Sequence, residues 1–272
     1  MKVLLLDGYN LIYRARYSFS QGEYPTIYSF FRSLRPLIEK FDPDLVYFVT
    51  EGYPQERYDL LPEYKANRVR EDEGSFKEQK REIISLLKSS FPVVVCRHPH
   101  HECDDVIANL ARWRHDDDEC IVVSSDTDFL QLYNTCSNVV IYNPIKKEVL
   151  EAPDFDYVKW KSLRGDSSDN IKGIRGIGDK RAAMLLSDVV KLSKFFETDE
   201  SRRDIFDRNC KLIQFVDLRD QLDILETSPP CNDWEKIKEK FEKWGFNSIT
   251  NQESWLKFQH TFSKLKKNVV AI

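Results

Sequence analysis

The chain has 272 residues, a formal net charge of −4, 41% hydrophobic residues and 32% charged residues. Such a chain can bury one sizeable core with a smaller subdomain, and its 12% aromatic content excludes disorder throughout. No apolar run reaches membrane-spanning length and Val3-Leu4-Leu5-Leu6 is too short for a secretory signal, so a cytoplasmic protein without membrane contact is expected.

Residues 3–6 read as a strand buried on both faces, ending at Asp7-Gly8. The stretch 27–40 is apolar at Ile27, Phe30, Phe31, Leu34, Leu37 and Ile38, a helical period. Residues 45–49 form a second strand after the Asp42-Pro43-Asp44 turn. The charged segment that follows carries an amphipathic pattern at Phe76, Ile83, Ile84 and Leu87. A third strand is predicted over 93–96, a helix over 104–114, a fourth strand over 121–123 and a fifth over 139–142. Strands separated by helices imply crossovers and a mainly parallel α/β sheet, whose functional groups gather beyond the C-terminal strand ends. Asp7, Glu51 and Asp126 all fall at that edge.

Beyond about residue 155 the pattern turns helical, and four of the nine glycines (Gly165, Gly173, Gly176 and Gly178) fall within 165–178. Ser228-Pro229-Pro230 opens a C-terminal stretch with helices predicted over 234–243 and 253–265. The six cysteines show no C-x-x-C pair and are expected to be reduced. Cys96, His98, His100, His101 and Cys103 crowd eight residues, but the paired histidines and Pro99 make a zinc site awkward, and a solvated loop is the simpler reading.

Three acidic groups stand at strand ends or helix starts: Glu102-Cys103-Asp104-Asp105, Ser125-Asp126-Thr127-Asp128 and Gly165-Asp166-Ser167-Ser168-Asp169-Asn170. Each alone is explained by helix capping or a turn. Gathered in one crevice they would repel one another, and Mg²⁺ or Mn²⁺ resolves that conflict because hard cations take oxygen ligands.

These motifs, in order with Asp7-Gly8-Tyr9-Asn10, Tyr64-Lys65-Ala66-Asn67-Arg68 and the Gly165–Gly173 loop, resemble the phage and bacterial 5′ nucleases, relatives of flap endonucleases. The resemblance spans roughly residues 1–220 by motif order. It implies an acidic site of Asp7, Glu102, Asp104, Asp105, Asp126, Asp128, Asp166 and Asp169 holding two Mg²⁺ ions, with Mn²⁺ able to substitute. Glu102 and Asp104 would lean to one ion and Asp128, Asp166 and Asp169 to the other, with Asp126 between. Many relatives carry an Asp after the second strand; here Thr50 stands there, and Glu51 beside it is the expected substitute.

The same resemblance assigns Lys65 and Arg68 to the scissile phosphate beside Asp128 as the catalytic set; Tyr64 is open to stacking on a terminal base or to buried packing, and Arg14 is a weaker phosphate candidate for DNA contact. The segment near 65–92 is expected to form a helical arch over a threaded strand. Gly173-Ile174-Arg175-Gly176-Ile177-Gly178-Asp179-Lys180 resembles the hairpin of a helix–hairpin–helix element, with Lys172, Arg175, Lys180 and Arg181 giving a basic patch for duplex DNA. A K⁺ ion at the hairpin carbonyls is a further implication. The expected organisation is a nuclease core over 1–155, a DNA-binding region over 156–225 and a helical tail over 226–272 packed on the core.

The implied activity is hydrolysis of DNA at 5′ flaps, 5′ ends or branches, leaving a 5′ phosphate, in replication or repair. A non-catalytic structure-specific DNA-binding protein and a nuclease removing RNA primers from RNA–DNA hybrids stand as alternatives. A separate polymerase or single-strand-binding protein is the expected protein partner.

Overall fold

The computed structural model describes residues 1–18, 22–68 and 74–265. Its strands are β1 (Lys2–Asp7), β2 (Leu45–Val49), β3 (Val94–Arg97), β4 (Glu119–Val123), β5 (Val139–Asn143), β6 (Glu148–Val149), β7 (Gly165–Asp166), β8 (Ile171–Lys172) and β9 (Glu226–Ser228). Seven of these form one sheet in the order β6-β5-β4-β1-β2-β3-β9, and β7 and β8 form a separate hairpin. The pairs β1–β2, β1–β4, β2–β3 and β4–β5 are parallel; β6 and β9 close the two edges antiparallel. The five apolar strands read from the sequence are therefore present and parallel, as a fully buried sheet requires.

The helices are α1 (Gly8–Arg16), α2 (Pro25–Phe41), α3 (Gln55–Leu60), α4 (Ser75–Ser90), α5 (Cys103–Asn109), α6 (Tyr157–Arg164), α7 (Asp179–Leu186), α8 (Val189–Glu197), α9 (Glu200–Ile213), α10 (Trp234–Lys243), α11 (Asn247–Thr250) and α12 (Gln252–Ser263). Alternation along β1 sends Leu4 and Leu6 to one face of the sheet and Val3 and Leu5 to the other, into separate cores. The first core takes in α1, α2 and α4 with the C-terminal helices α10–α12. The second is roofed by α5 and the segment around Phe215 and Leu218. No described helix is long and apolar enough to cross a membrane.

Helix α2 begins with Pro25, whose missing N–H costs nothing at that position, and ends on Asp42 in the left-handed region (φ 44°) before Pro43. Aromatic packing ties the C-terminal helices down: Phe31 stacks on Phe91 at 4.9 Å, and Phe91 meets Phe262 edge-on at 5.4 Å. Such pairs each add about 0.5–1.5 kcal/mol beyond simple burial.

Helix α4 corrects the expected arch. Phe76, Ile83, Leu86 and Leu87 bury its apolar stripe in the first core against α2, so residues 75–90 line the body of the protein. Gln79 is buried as well and accepts from the backbone N–H of Thr26 at 2.9 Å. Residues 69–73 of the expected arch lie outside the described residues.

Helices α6–α9 pack around a small core of their own, with Leu163, Ile174, Ile177, Ala182, Leu185, Phe196 and Phe206. Side chains from the sheet domain anchor this unit. Gln131 donates to the Ile213 carbonyl at 3.2 Å and accepts from the Phe215 N–H at 3.0 Å, while Arg57 donates to the Leu212 carbonyl at 3.0 Å.

Candidate metal centre and nucleic-acid interface

The acidic residues occupy the C-terminal edge of the parallel sheet, and most of them also cap a local element. Asp7 ends β1 and accepts from the Asn10 N–H at 3.1 Å, starting α1. Ser124, just past β4, donates to its other oxygen at 2.7 Å. Glu51 follows β2 and accepts from the Cys103 N–H at 3.0 Å. Glu102 is the N-cap of α5, with Asp104 and Asp105 in its first turn. Asp126 accepts from the Asp128 N–H at 2.9 Å, opening the 3₁₀ turn Thr127–Asn134. Capping and a gathering of charge are thus not competing explanations here, because the same carboxylate serves both.

Two clusters result, and Asp126 stands between them. In the first, burial above all lifts the Asp7 carboxyl to about 6 and Glu51 to about 7. Burial also raises Asp104 well above its usual range, reinforced by the charges of Asp7, Asp126 and Glu51. In the second, oxygens of Asp128, Asp166 and Asp169 lie within 4.8 Å of one another. Burial and then the charge of Asp126 lift Asp128 to about 6. Burial pushes Asp166 up, but Lys161 and Ser168 outweigh it and hold the group below its usual value. Carboxylate oxygens dominate the donor set, which suits hard divalent cations; the Cys103 thiol, pushed up by burial, donates to Asp7 at 3.8 Å.

Basic groups flank the second cluster. Lys65 hydrogen-bonds Glu102 and lies 3.7 Å from Asp169, and Arg68 bonds the other oxygen of Asp169. The carboxylates raise the Lys65 ammonium despite its burial. Lys65 itself has positive φ (55°), and its N–H donates to the Asp169 carbonyl at 2.9 Å, so the backbone of this loop is locked to the β7–β8 hairpin. Asn67 and Asn170 add reciprocal bonds across the same junction, to the carbonyls of Ser167 at 2.6 Å and Glu63 at 2.8 Å.

Several expected roles change. Asp105 is not placed to hold an ion: its oxygens accept from Arg57 twice, from the Glu102 N–H at 3.2 Å and from the Val216 N–H at 2.9 Å. These four bonds use its lone pairs, and the side chain has no exposure to solvent. Tyr64 is buried, with its hydroxyl donating to Glu102 at 2.8 Å and to Asp169 at 3.1 Å, so it positions carboxylates and offers no face for a base. Arg14 stands about two turns along α1 from Asp7, partly buried with Tyr142 nearby. His98 and His101 are buried with rings 4.5 Å apart, so the loop between β3 and α5 is packed rather than solvated. No metal-ligating group of three forms there among the described residues.

Arg57 and Lys161 escaped the sequence reading. Arg57 is buried on α3 and bridges Glu102 and Asp105, each at 2.6 Å. Lys161 hydrogen-bonds Asp128 and lies 2.7 Å from Asp166. A signal for Lys161 existed: it stands four residues after Tyr157, hence on one helical face with it, and the Tyr157 hydroxyl also reaches Asp128 at 3.3 Å.

The glycine-rich segment runs from the β7–β8 hairpin into α7. Gly165 has φ 83°, and a Cβ on Gly173 would fall 2.1 Å from the Arg164 carbonyl, so both are needed where the strands cross closely. Gly176 also has positive φ, and Gly178 is the N-cap of α7. Lys172, Arg175, Lys180 and Arg181 are exposed along this stretch.

Residues 2–161 match the family model for the 5′-3′ exonuclease, N-terminal resolvase-like domain. A 5′-3′ exonuclease of Mycoplasmopsis pulmonis is 34% identical over 219 residues, covering 74% of this chain and 71% of that protein. The match to DNA polymerase I of Treponema pallidum is also 34% identical and covers 67% of this chain but only 20% of that longer protein. A crystal structure of bacteriophage T5 flap endonuclease, a pseudo-enzyme-product complex with DNA and metal ions, is similar in fold at TM-score 0.65 and 19% identity, over 97% of this chain and 98% of that one. The mainly parallel sheet, the acidic edge and these matches agree: the chain belongs to the 5′-3′ exonuclease family.

Proposed function

We propose that the protein is a divalent-metal-dependent, structure-specific 5′ nuclease that hydrolyses DNA at 5′ flaps, 5′ ends or branches. The observation that carries this reading is the pair of carboxylate clusters joined through Asp126, with Lys65 and Arg68 at their border. Asp7, Glu51 and Asp104, with Glu102, would hold one Mg²⁺, and Asp128, Asp166 and Asp169 the other, with Asp126 between and Mn²⁺ an acceptable substitute. The fit is good on this structure: eight carboxylates, raised proton affinities that a cation would relieve, and Glu51 present where Thr50 offers no charge. When bound, such ions activate a water and stabilise the oxygen that leaves the phosphorus.

The chain's own groups do the rest. Lys65 and Arg68 neutralise charge growing on the scissile phosphate. Tyr64 and Arg57 keep Glu102 aimed. The hairpin over 173–178, with Lys172, Arg175, Lys180 and Arg181, holds duplex phosphates without reading sequence, and a K⁺ ion at its carbonyls belongs to the same proposal. We divide the chain into a nuclease core (1–155), a DNA-binding region (156–225) and a C-terminal segment (226–272), mainly helical over its described part and with 266–272 outside the described residues. A cytoplasmic location, action on RNA–DNA hybrids and cooperation with a polymerase or single-strand-binding protein extend the reading. The bacteriophage T5 flap endonuclease complex with DNA and metal ions supports its central part.

The test is cleavage of 5′- and 3′-labelled flaps, nicked duplexes and single strands with Mg²⁺, Mn²⁺ or EDTA. Metal-dependent products cut near the 5′ branch are expected. Tight flap binding without cleavage under either metal would leave only a DNA-binding protein.

A further inference from the structure

We propose that Lys161 is a built-in counterion for the Asp128–Asp166 pair, which the second divalent ion must displace in order to bind. The inference rests on the metal-dependent reading above and adds an order of loading to it. The two acidic clusters are neutralised differently. Among the described residues, no ion pair involves Asp7, Glu51, Asp104 or Asp126, and only the more distant charge of Lys65 eases Asp104 and Glu51. Asp128, Asp166 and Asp169 instead face three cations: Lys161, Lys65 and Arg68.

Lys161 is the buried member that touches two of these carboxylates at once. Its ammonium hydrogen-bonds Asp128 and lies 2.7 Å from Asp166, and the side chain is as inaccessible as Asp166 and more so than Asp128. Helix α6 fixes it there, because Tyr157 one turn earlier is itself held by Thr127 at 2.9 Å and Asp128 at 3.3 Å. A cation drawing on Asp7, Glu51 and Asp104 relieves repulsion and breaks no ion pair; of the first ion's proposed ligands Glu102 alone is paired among the described residues, with Arg57 and Lys65. A cation drawing on both Asp128 and Asp166 takes over oxygens that the ammonium already engages. The first cluster therefore loads more tightly, and the second faces a competition set by one side chain.

The experiment titrates Mn²⁺ into the full chain without DNA, following heat by calorimetry and free Mn²⁺ by electron paramagnetic resonance. The wild type is expected to bind in a tight and a weak phase. Lys161→Gln should tighten the weak phase at least tenfold and leave the tight phase within twofold, while Lys161→Arg should keep the weak phase. In wild-type protein with ¹⁵N-labelled lysine titrated with diamagnetic Mg²⁺, the Lys161 ammonium resonance should move only during the second phase, a readout that does not depend on a variant folding. An unchanged or weakened second phase in Lys161→Gln, or a Lys161 resonance stationary through both phases, overturns the proposal while leaving metal dependence intact. No Mn²⁺ binding by the wild type would instead bring down the metal reading itself.

Discussion

Arg57 donates to opposite oxygens of Asp105 at 2.6 and 2.8 Å, a two-pronged ion pair across 48 residues of chain and shielded from solvent. The same guanidinium reaches Glu102 and the carbonyls of Leu212 and Gln214, so one side chain joins α3, α5 and the end of α9. Removing one partner of such a buried pair leaves an uncompensated charge, which costs about 3–5 kcal/mol. Arg57→Met is expected to lose that much in urea denaturation of the metal-free protein. Asp105→Asn should retain two Mn²⁺ per chain, whereas Asp104→Asn should lose the tighter one. Loss of an ion in Asp105→Asn would return that residue to the ligand set.

The raised carboxyls of the first cluster predict an unusual response to pH. Glu51 rises from an ordinary value of 4.5 to about 7 because burial, then the charge of Glu102, disfavours its ionised form. A group whose folded pKa lies above its unfolded one stabilises the fold below the unfolded value and loses that contribution as pH climbs through the folded value. Metal-free Glu51→Gln should therefore match the wild type near pH 4 and become more stable by on the order of 1–3 kcal/mol by pH 8. The amide can still accept from the Cys103 N–H, so the capping bond survives. With saturating Mg²⁺ the order should reverse, because the ion favours the ionised carboxylate. Thermal melts of both proteins at pH 4 and 8, with EDTA or Mg²⁺, check both signs; a constant gap across pH would refute the assignment.

Legibility in the sequence differs from element to element. The five parallel strands were legible because burial on both faces demands uninterrupted apolar runs such as residues 3–6 and 45–49. The edge strands β6 and β9 were not, since two or three residues such as Glu148-Val149 or Glu226-Thr227-Ser228 carry no pattern. Helix α4 was legible as amphipathic, but whether its stripe faced a core or an opening depended on α2, a tertiary partner that periodicity does not name. The acidic motifs announced themselves through their capping positions. Their cations did so less: Arg57 sits 48 residues from Asp105, and Lys161, though five residues before Asp166, sits 33 from Asp128, so only its spacing from Tyr157 marked it out from any surface charge on a short helix.

Asp128→Asn separates chemistry from recognition. The residue contributes to the three-carboxylate group and anchors Lys161 and Tyr157, yet no exposed basic side chain of the hairpin touches it. Cleavage at saturating DNA should fall more than about a hundredfold, the scale on which even indirect partners of a metal site act. Flap binding in Ca²⁺ should change less than threefold. An equal loss of both would place Asp128 in DNA binding.

The hairpin predicts the opposite separation. Lys172, Arg175, Lys180 and Arg181 are exposed beside a glycine-rich turn and the N-terminus of α7, a surface suited to phosphates. Each phosphate contact releases counterions and contributes roughly 0.9 to the slope of log affinity against log salt. The double variant Arg175→Ala/Lys180→Ala should therefore flatten that slope by roughly 2 for duplex and flap alike, since backbone contacts carry no sequence information. Single-turnover cleavage at saturating DNA should stay within twofold, because neither side chain is among the partners of the acidic clusters. Lys65→Ala gives the contrasting result: it leaves Glu102 and Asp169 without a close ammonium, so the cleavage rate should collapse while the salt slope falls by no more than about one contact. A salt slope unaltered in the double variant would move the duplex to another face of the protein.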